Sequence, residues 1–216
     1  MIAAGSFYGT ISGMPHLRIA QDAAADELLG RDPLALLIGM LLDQQFPMER
    51  AFSAPRLLAD RLGVDTLTAA RIAEADPVVL QRHFQGPPAL HRYPGSMAGR
   101  TQDLARVLLE RYDGRADGVW TDVPDGATLL RRLGELPGFG AQKAKIFLAL
   151  LGKQCGVTPP GWREAAREYG EEGSRRSVAD ITGPASLAEV RAHKQQLKQA
   201  AKDAKDAKDA KAAPRS

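Results

Sequence analysis

The chain has 216 residues, 44% hydrophobic and 25% charged: enough for a single core or two small lobes, and with no apolar run of membrane-spanning length. Its formal net charge is +3, but eight Lys/Arg against three Asp lie between Arg191 and Ser216, a net of +5, which leaves the first 190 residues at −2. A uniformly basic body is therefore excluded, and any polyanion must be held by a local patch and backbone N–H groups, with the tail adding non-specific attraction. The single cysteine, Cys155, excludes an internal disulfide and an iron–sulfur cluster held by four thiolates of this chain, and it fits a reducing cytoplasm.

Taken in chain order, the segments read almost entirely as helices. Met1–Gly13 has neither the basic region nor the unbroken apolar core of a signal peptide, and Met14 is an alternative start that would make these residues a dispensable leader. Asp32-Pro33 supplies an N-cap and a first-turn proline for a helix carrying Leu34, Leu37, Ile38, Leu41 and Leu42 on one side and Leu36 and Met40 on the other. A helix apolar all round should be buried. It closes on Asp43-Gln44-Gln45, with Phe46-Pro47 as its expected stop, because the residue before a proline resists the helical region. Further helices are expected over 47–62 (Pro55 inside, Gly63 as stop), 66–75, 77–84 after the Asp76 cap, and 96–112 from a Ser96 cap to Gly114. Loops are expected at 85–88, 93–96 and, around Trp120, 117–126.

A short amphipathic helix over 127–135 and a second over 141–153 flank Leu136-Pro137-Gly138-Phe139-Gly140. Two glycines one residue apart let the backbone turn tightly and approach a ligand with no side chain in the way. The N–H groups of such a turn, at a helix N-terminus, suit one phosphate oxygen. After the hairpin come an irregular Pro-rich crossing at 156–161, a short helix at 162–169, a charged loop at 171–176 and a final helix from Leu187. The Ala-Lys-Asp repeat at 201–211 stacks like charges at i,i+3 and is expected to be a solvated, partly disordered basic tail.

Leu136-Pro137-Gly138-Phe139-Gly140-Ala141-Gln142-Lys143-Ala144 closely resembles the helix-hairpin-helix motif of the base-excision DNA glycosylase superfamily that contains endonuclease III and the adenine and alkyl-base glycosylases. Leu41-Leu42-Asp43-Gln44-Gln45 resembles the Leu-Ser-Gln-Gln signature of the same superfamily, whose second Gln wedges into the duplex, here Gln45. On spacing alone, the three polar residues either sit at a cleft, with amides that hydrogen-bond bases, or merely cap the helix end. The two motifs stand in the superfamily's order within residues 28–153. The resemblance implies an all-α, two-lobed glycosylase fold over residues 14–190, followed by a final helix and basic tail over 191–216. It implies a monomer that binds duplex DNA with one nucleotide extruded from the stack. Candidate DNA-binding residues are Gln44, Gln45, Leu136, Gly138, Phe139, Gly140, Gln142 and Lys143.

The chemistry that the resemblance implies is hydrolysis of the N-glycosidic bond, which needs a carboxylate to stabilise an oxocarbenium-like sugar and activate water. In the superfamily that acid is an Asp after the hairpin, in a Val-Asp-Thr-His type sequence. Here the corresponding stretch, Gly156-Val157-Thr158-Pro159-Pro160-Gly161-Trp162, has none. Asp43 is the first replacement candidate, Glu164 the second and Asp180 the third. Members that also nick the strand carry a Schiff-base Lys where this chain has Gln142. Lys143, one position on, is expected to contact phosphate, and Lys145 to be surface charge. The implied activity is that of a monofunctional glycosylase with no metal, cluster or other cofactor, acting on a damaged or mismatched base. The alternative is a non-catalytic helix-hairpin-helix protein that binds damaged or distorted DNA. His83, His91, Tyr93 and Trp120 are weaker candidates for stacking on a base.

Overall fold

The computed structural model describes residues 15–212, with side chains described through residue 204. The leader expected over residues 1–13, and the choice between Met1 and Met14, lie outside the described residues. Among those residues the chain is all-α: ten helices and three short 3-10 turns, with no strand.

Helix α1 (Ala23–Arg31) starts on Asp22, whose carboxylate accepts from the Ala25 N–H. Helix α2 (Pro33–Leu42) starts on buried Asp32. One carboxylate oxygen accepts from Leu34 and Ala35 N–H at 2.9 and 3.1 Å, and the other takes the Leu67 N–H at 2.7 Å. That cap also ties the helix to the loop before α4. All nine residues from Leu34 to Leu42 are buried, as an all-round apolar helix requires.

Helix α3 (Met48–Leu62) contains Pro55 and stops at Gly63 in the left-handed conformation. Helices α4 (Ala69–Ala73) and α5 (Pro77–Gln85) open on Thr68 and Asp76 side-chain caps. Helix α6 (Pro94–Tyr112) begins two residues before the expected Ser96 cap, because Pro94 itself takes the first helical turn, where its missing N–H costs nothing.

Helices α7 (Gly126–Gly134) and α8 (Ala141–Gln154) flank the hairpin within a residue of expectation. The segment expected as one helix over 162–169 is instead α9 (Trp162–Ala166) followed by a 3-10 turn, Arg167–Tyr169. Arg167 has φ +57°, which breaks the α-helix.

The last helix, α10 (Pro184–Ala212), departs most from expectation. It begins three residues before Leu187 and runs on through the Ala-Lys-Asp repeat. Alanine is the strongest helix former, and Gln199 donates to Asp203 one turn ahead at 2.7 Å. These local gains outweigh like charges at i,i+3, so the repeat is helical where a partly disordered tail was expected. A boundary at residue 190 also cuts through a continuous helix.

The helices pack in two groups around one continuous core. In the first, α1, α2 and α3 pack on one another and α6 holds α4 and α5. In the second, α7, α8 and α9 pack mutually, and α8 also carries the 3-10 turn Val178–Asp180. The hairpin therefore belongs with the elements that follow it, rather than with the middle helices that carry the Asp43 turn. The two meet at the end of α2.

Candidate functional site

At its C-terminus α2 stops in a sharp corner. The Gln44 N–H donates to the Leu42 carbonyl at 2.8 Å across Asp43, whose φ of −74° and ψ of 72° make an inverse γ-turn. Gln45 then takes a left-handed φ of +51°, uncommon for a non-glycine residue. The helix thus ends at Leu42 by this turn, well before the proline that was expected to stop it.

Buried His91 pins the corner. Its Nδ1 accepts from the Tyr93 N–H at 3.0 Å, so Nε2 carries the proton and donates to the Gln44 carbonyl at 3.0 Å. Burial holds the imidazole's pKa below its ordinary value, so it stays neutral. His91 is a positioning side chain for the turn rather than a base-stacking surface. Nothing in the sequence near residue 44 signals this partner, which lies 47 positions away.

The Gln44 side chain is half-buried, reaching the Leu41 carbonyl (3.3 Å), Met97 Sδ (3.2 Å) and Arg100 (3.4 Å). Gln45 is exposed. Of the two amides, Gln45 is thus open to solvent, and Gln44 braces the turn.

The hairpin packs directly on this corner. Gly138 has φ +79°, and a Cβ added there would sit 2.3 Å from Leu41 Cδ1. Gly140 has an ordinary φ of −77°, and a Cβ there would meet nothing within 4 Å. Only Gly138 uses glycine's conformational freedom; Gly140 keeps a bare surface open. The N–H groups of both find no acceptor among the described residues, and α8 begins without a side-chain cap. Its first-turn N–H groups point the same way by helix geometry.

Leu136 and Phe139 are buried, with Phe139 edge-on to Phe147 at 5.7 Å. They anchor the hairpin in the core and do not present side chains to a ligand. Trp120, also buried against Phe147, is core too.

Between the corner, the start of α3, the hairpin helix α8 and α10 opens a cleft of about 530 Å³. Asp43 and Met40 line it from α2, Met48 and Glu49 from α3, Gln142, Lys143 and Ile146 from α8, and Arg191 and Lys194 from α10. Lys143 is not a free surface cation. Its Nζ donates to the Leu41 carbonyl at 2.7 Å, capping the end of α2 from the hairpin helix, and burial lowers its pKa to about 8. Gln142 is exposed and donates to Tyr169 Oη at 2.9 Å. The expected roles of the two neighbours as DNA contacts therefore separate: Gln142 faces outward and Lys143 faces Asp43.

Asp43 itself is half-buried, and its carboxylate has no hydrogen-bond partner among the described residues. Burial raises its pKa, opposed by the charges of Lys194 and Lys143. The capping explanation fails on sign: a carboxylate offers no donor to the last carbonyls of a helix, and its charge opposes the negative end of the helix dipole.

Glu164 is exposed in the first turn of α9 and lines a different depression with Arg163 and Arg167, so it does not join this cleft. Asp180 is committed elsewhere: it bonds Lys153 at 2.6 Å and accepts from the Arg176 and Ser177 N–H groups. His83 does not line the cleft; its carbonyl accepts from Arg61.

Arg191 and Lys194 are not evident as site residues in the sequence, where they group with the tail. Their i,i+3 spacing after buried Leu187 and Val190 is the signal that places them on the face of a docked helix. Arg191 pairs with Glu49, and Lys194 Nζ lies 3.3 Å from Met48 Sδ. A neighbouring depression shares Gln45, Phe46 and Pro47 and adds Arg50 and Arg92, which cover the Phe46 and Tyr93 rings at 4.9 and 5.3 Å. The body is near charge balance as a whole, but Lys143, Arg191 and Lys194 gather at this corner, with Arg50 and Arg92 beside it.

Truncation after Leu197 should isolate the part that the rest of α10 plays. It removes Lys198, Lys202, Lys205, Lys208, Lys211 and Arg215 but keeps Arg191 and Lys194. If duplex DNA is the partner, as the sequence motifs imply, the slope of log affinity against log salt should flatten, by up to about 0.9 for each phosphate the tail no longer neutralises, while any lesion preference survives. Disappearance of lesion preference in the truncated protein would show that the outer helix reads the site.

Cys155 is half-buried, and burial pushes its thiol pKa up to about 12, which makes it unreactive at neutral pH. Among the described residues no cluster of three His, Cys, Asp or Glu could hold a metal ion, and no helix is long and apolar enough to cross a membrane. Comparison with protein-family models gives no match, and comparison with curated proteins gives none either.

Proposed function

We propose that this protein is a monofunctional base-excision DNA glycosylase with the two-lobed helix-hairpin-helix fold. It grips duplex DNA through the Gly138–Gly140 turn, fills the vacated stack with Gln45 and hydrolyses a damaged or mismatched base with Asp43. The observation that carries the proposal is Asp43: a half-buried carboxylate with no hydrogen-bond partner among the described residues, at the wrong end of a helix dipole and lining a cleft beside the hairpin helix. A fold tolerates such a group at a cost, and active-site chemistry is the physical reason to keep it.

In the proposed reaction the Asp43 carboxylate faces the sugar's C1′, stabilises positive charge there and takes the proton of the attacking water. Lys194 and Lys143 favour the ionised form of the carboxylate, opposing part of the effect of burial. The test is single-turnover incubation of purified protein with duplexes carrying uracil, hypoxanthine, alkylated purines, 8-oxoguanine or mispaired adenine. Release of at least one base supports the proposal. The absence of an acid from the 156–162 crossing favours a second reading, a DNA-binding protein without catalysis, and release from none of the duplexes selects it.

Strand nicking through a Schiff base should not occur. Lys143 is the only amine among the residues lining the cleft besides Lys194, and its Nζ is engaged with the Leu41 carbonyl. Borohydride treatment during turnover should leave no covalent protein–DNA adduct. An adduct mapping to Lys143 or Lys145 would replace hydrolysis with lyase chemistry.

A further inference from the structure

We infer that the Asp43 cleft takes a neutral nucleobase, one that departs with negative charge, in preference to a cationic N-alkylated base; this rests on the glycosylase reading above. The observation is the charge lining the cleft. Lys143, Arg191 and Lys194 face it against Asp43 and Glu49, so one positive charge is in surplus, and Glu49 is already paired with Arg191. Gln142 and Gln45 add amide donors at its edges.

The two classes of base make opposite demands. When the C1′–N bond of a neutral base breaks, its electron pair stays on the base nitrogen and the base leaves as an anion that later takes a proton from solvent. Water adds to C1′ and gives its proton to Asp43. Fixed cations and donors around the departing base stabilise the negative charge that develops there, and in a half-desolvated cleft this effect is large. A base alkylated to a cation leaves as a neutral molecule and needs no such help. It needs instead an acidic wall or a bare aromatic face to receive its charge.

Among the described residues the cleft has no bare aromatic face, and of its two carboxylates Glu49 is paired with Arg191 while Asp43 faces the sugar in the proposed reaction. The one aromatic ring among the described residues lining the cleft is Phe46, and the Arg50 guanidinium already lies over it at 4.9 Å. A cationic base would meet Lys143, Lys194 and Arg191 at short range. The soft remainder of the wall, Met40, Met48 and Ile146, suits a neutral ring of either size and does not by itself choose between purine and pyrimidine.

The test compares acceleration over spontaneous loss for uracil and hypoxanthine with that for N7-methylguanine, all in the same duplex. At least one neutral base should be accelerated about 10-fold or more beyond the cationic one. The Arg191→Gln and Lys194→Gln double variant should shrink that ratio several-fold. Equal or greater acceleration of N7-methylguanine, or an unchanged ratio in the double variant, overturns the inference.

If the wild type releases none of the three, the glycosylase reading fails for them. The inference is then decided by affinity for uncleavable 2′-fluoro duplexes of the same bases. Tighter binding of a neutral base upholds the charge selection; equal or weaker binding overturns it.

Discussion

Asp43→Asn should abolish base release, slowing it by about 10³-fold or more, while affinity for duplex DNA changes little. The substitution keeps the shape of the side chain and removes its charge, so the γ-turn at 42–44, which is made by backbone atoms, stays in place. The same variant should be more stable than the wild type at neutral pH, by about 1 kcal/mol, because a costly ion has been taken out of a half-buried position. The sign follows from linkage. Burial raises the Asp43 pKa, so between the ordinary carboxylate range and the raised value the folded protein binds a proton that the unfolded chain has released. Wild-type stability therefore falls as pH rises through that window, and Asp43→Asn removes the fall. Lys143 acts in the opposite sense to a cation gaining a partner. From about 8 up to the ordinary 10.5 the folded protein sheds a proton that the unfolded chain keeps, and stability rises with pH.

The rate has a matching pH dependence. Activity needs ionised Asp43, so it should fall on the acid side of the raised pKa, and Lys143→Gln should move that limb to higher pH by removing a charge that favours ionisation. Base release at the wild-type rate by Asp43→Asn would remove Asp43 from catalysis. Normal stability combined with abolished release would leave the catalytic role intact and reject only the stated cost of burial.

The two hairpin glycines should fail in different ways when changed. Gly140→Ala adds a methyl group that meets no protein atom, at a φ that alanine adopts freely, so the variant should melt with the wild type. It should nevertheless bind duplex DNA at least about 10-fold more weakly, uniformly across sequences, because the methyl group occupies the approach of a phosphate to the hairpin N–H groups. Gly138→Ala meets both a left-handed φ and the Leu41 side chain, and should lose about 1–3 kcal/mol of stability, measured by denaturant titration. Unchanged DNA affinity in folded Gly140→Ala would show that the hairpin does not hold the backbone. Equal melting of the two variants would show that Gly138 does not seat the hairpin on α2.

How much of the molecule is legible in its sequence depends on the range of the forces involved. The start of α2 and the bounds of α3, α7 and α8, within a residue, can be read from the sequence because caps, glycine stops and the spacing of apolar residues act within one or two turns. Asp32 and Gly63 sit where that logic puts them. Local rules fail where two local effects oppose each other, as in the 201–211 repeat, and where a γ-turn ends α2 before the proline can.

The hairpin and the polar close of α2 are each visible as motifs, far apart along the chain. Their juxtaposition is not visible, nor is the sorting of their residues. Burial turns Leu136 and Phe139 into anchors, turns Lys143 inward to cap α2 and leaves Gln45 outside. Likewise His91, Arg191 and Lys194 belong to the site only because the loop before α6 and helix α10 bring them beside it, and Glu164 is excluded because α9 faces another side. The sequence alone determined which side chains were available and where most helices start, since caps depend on neighbours along the chain. Which carboxylate lies half-buried among cations was decided only by tertiary packing, because burial and Coulomb interactions depend on distance in space.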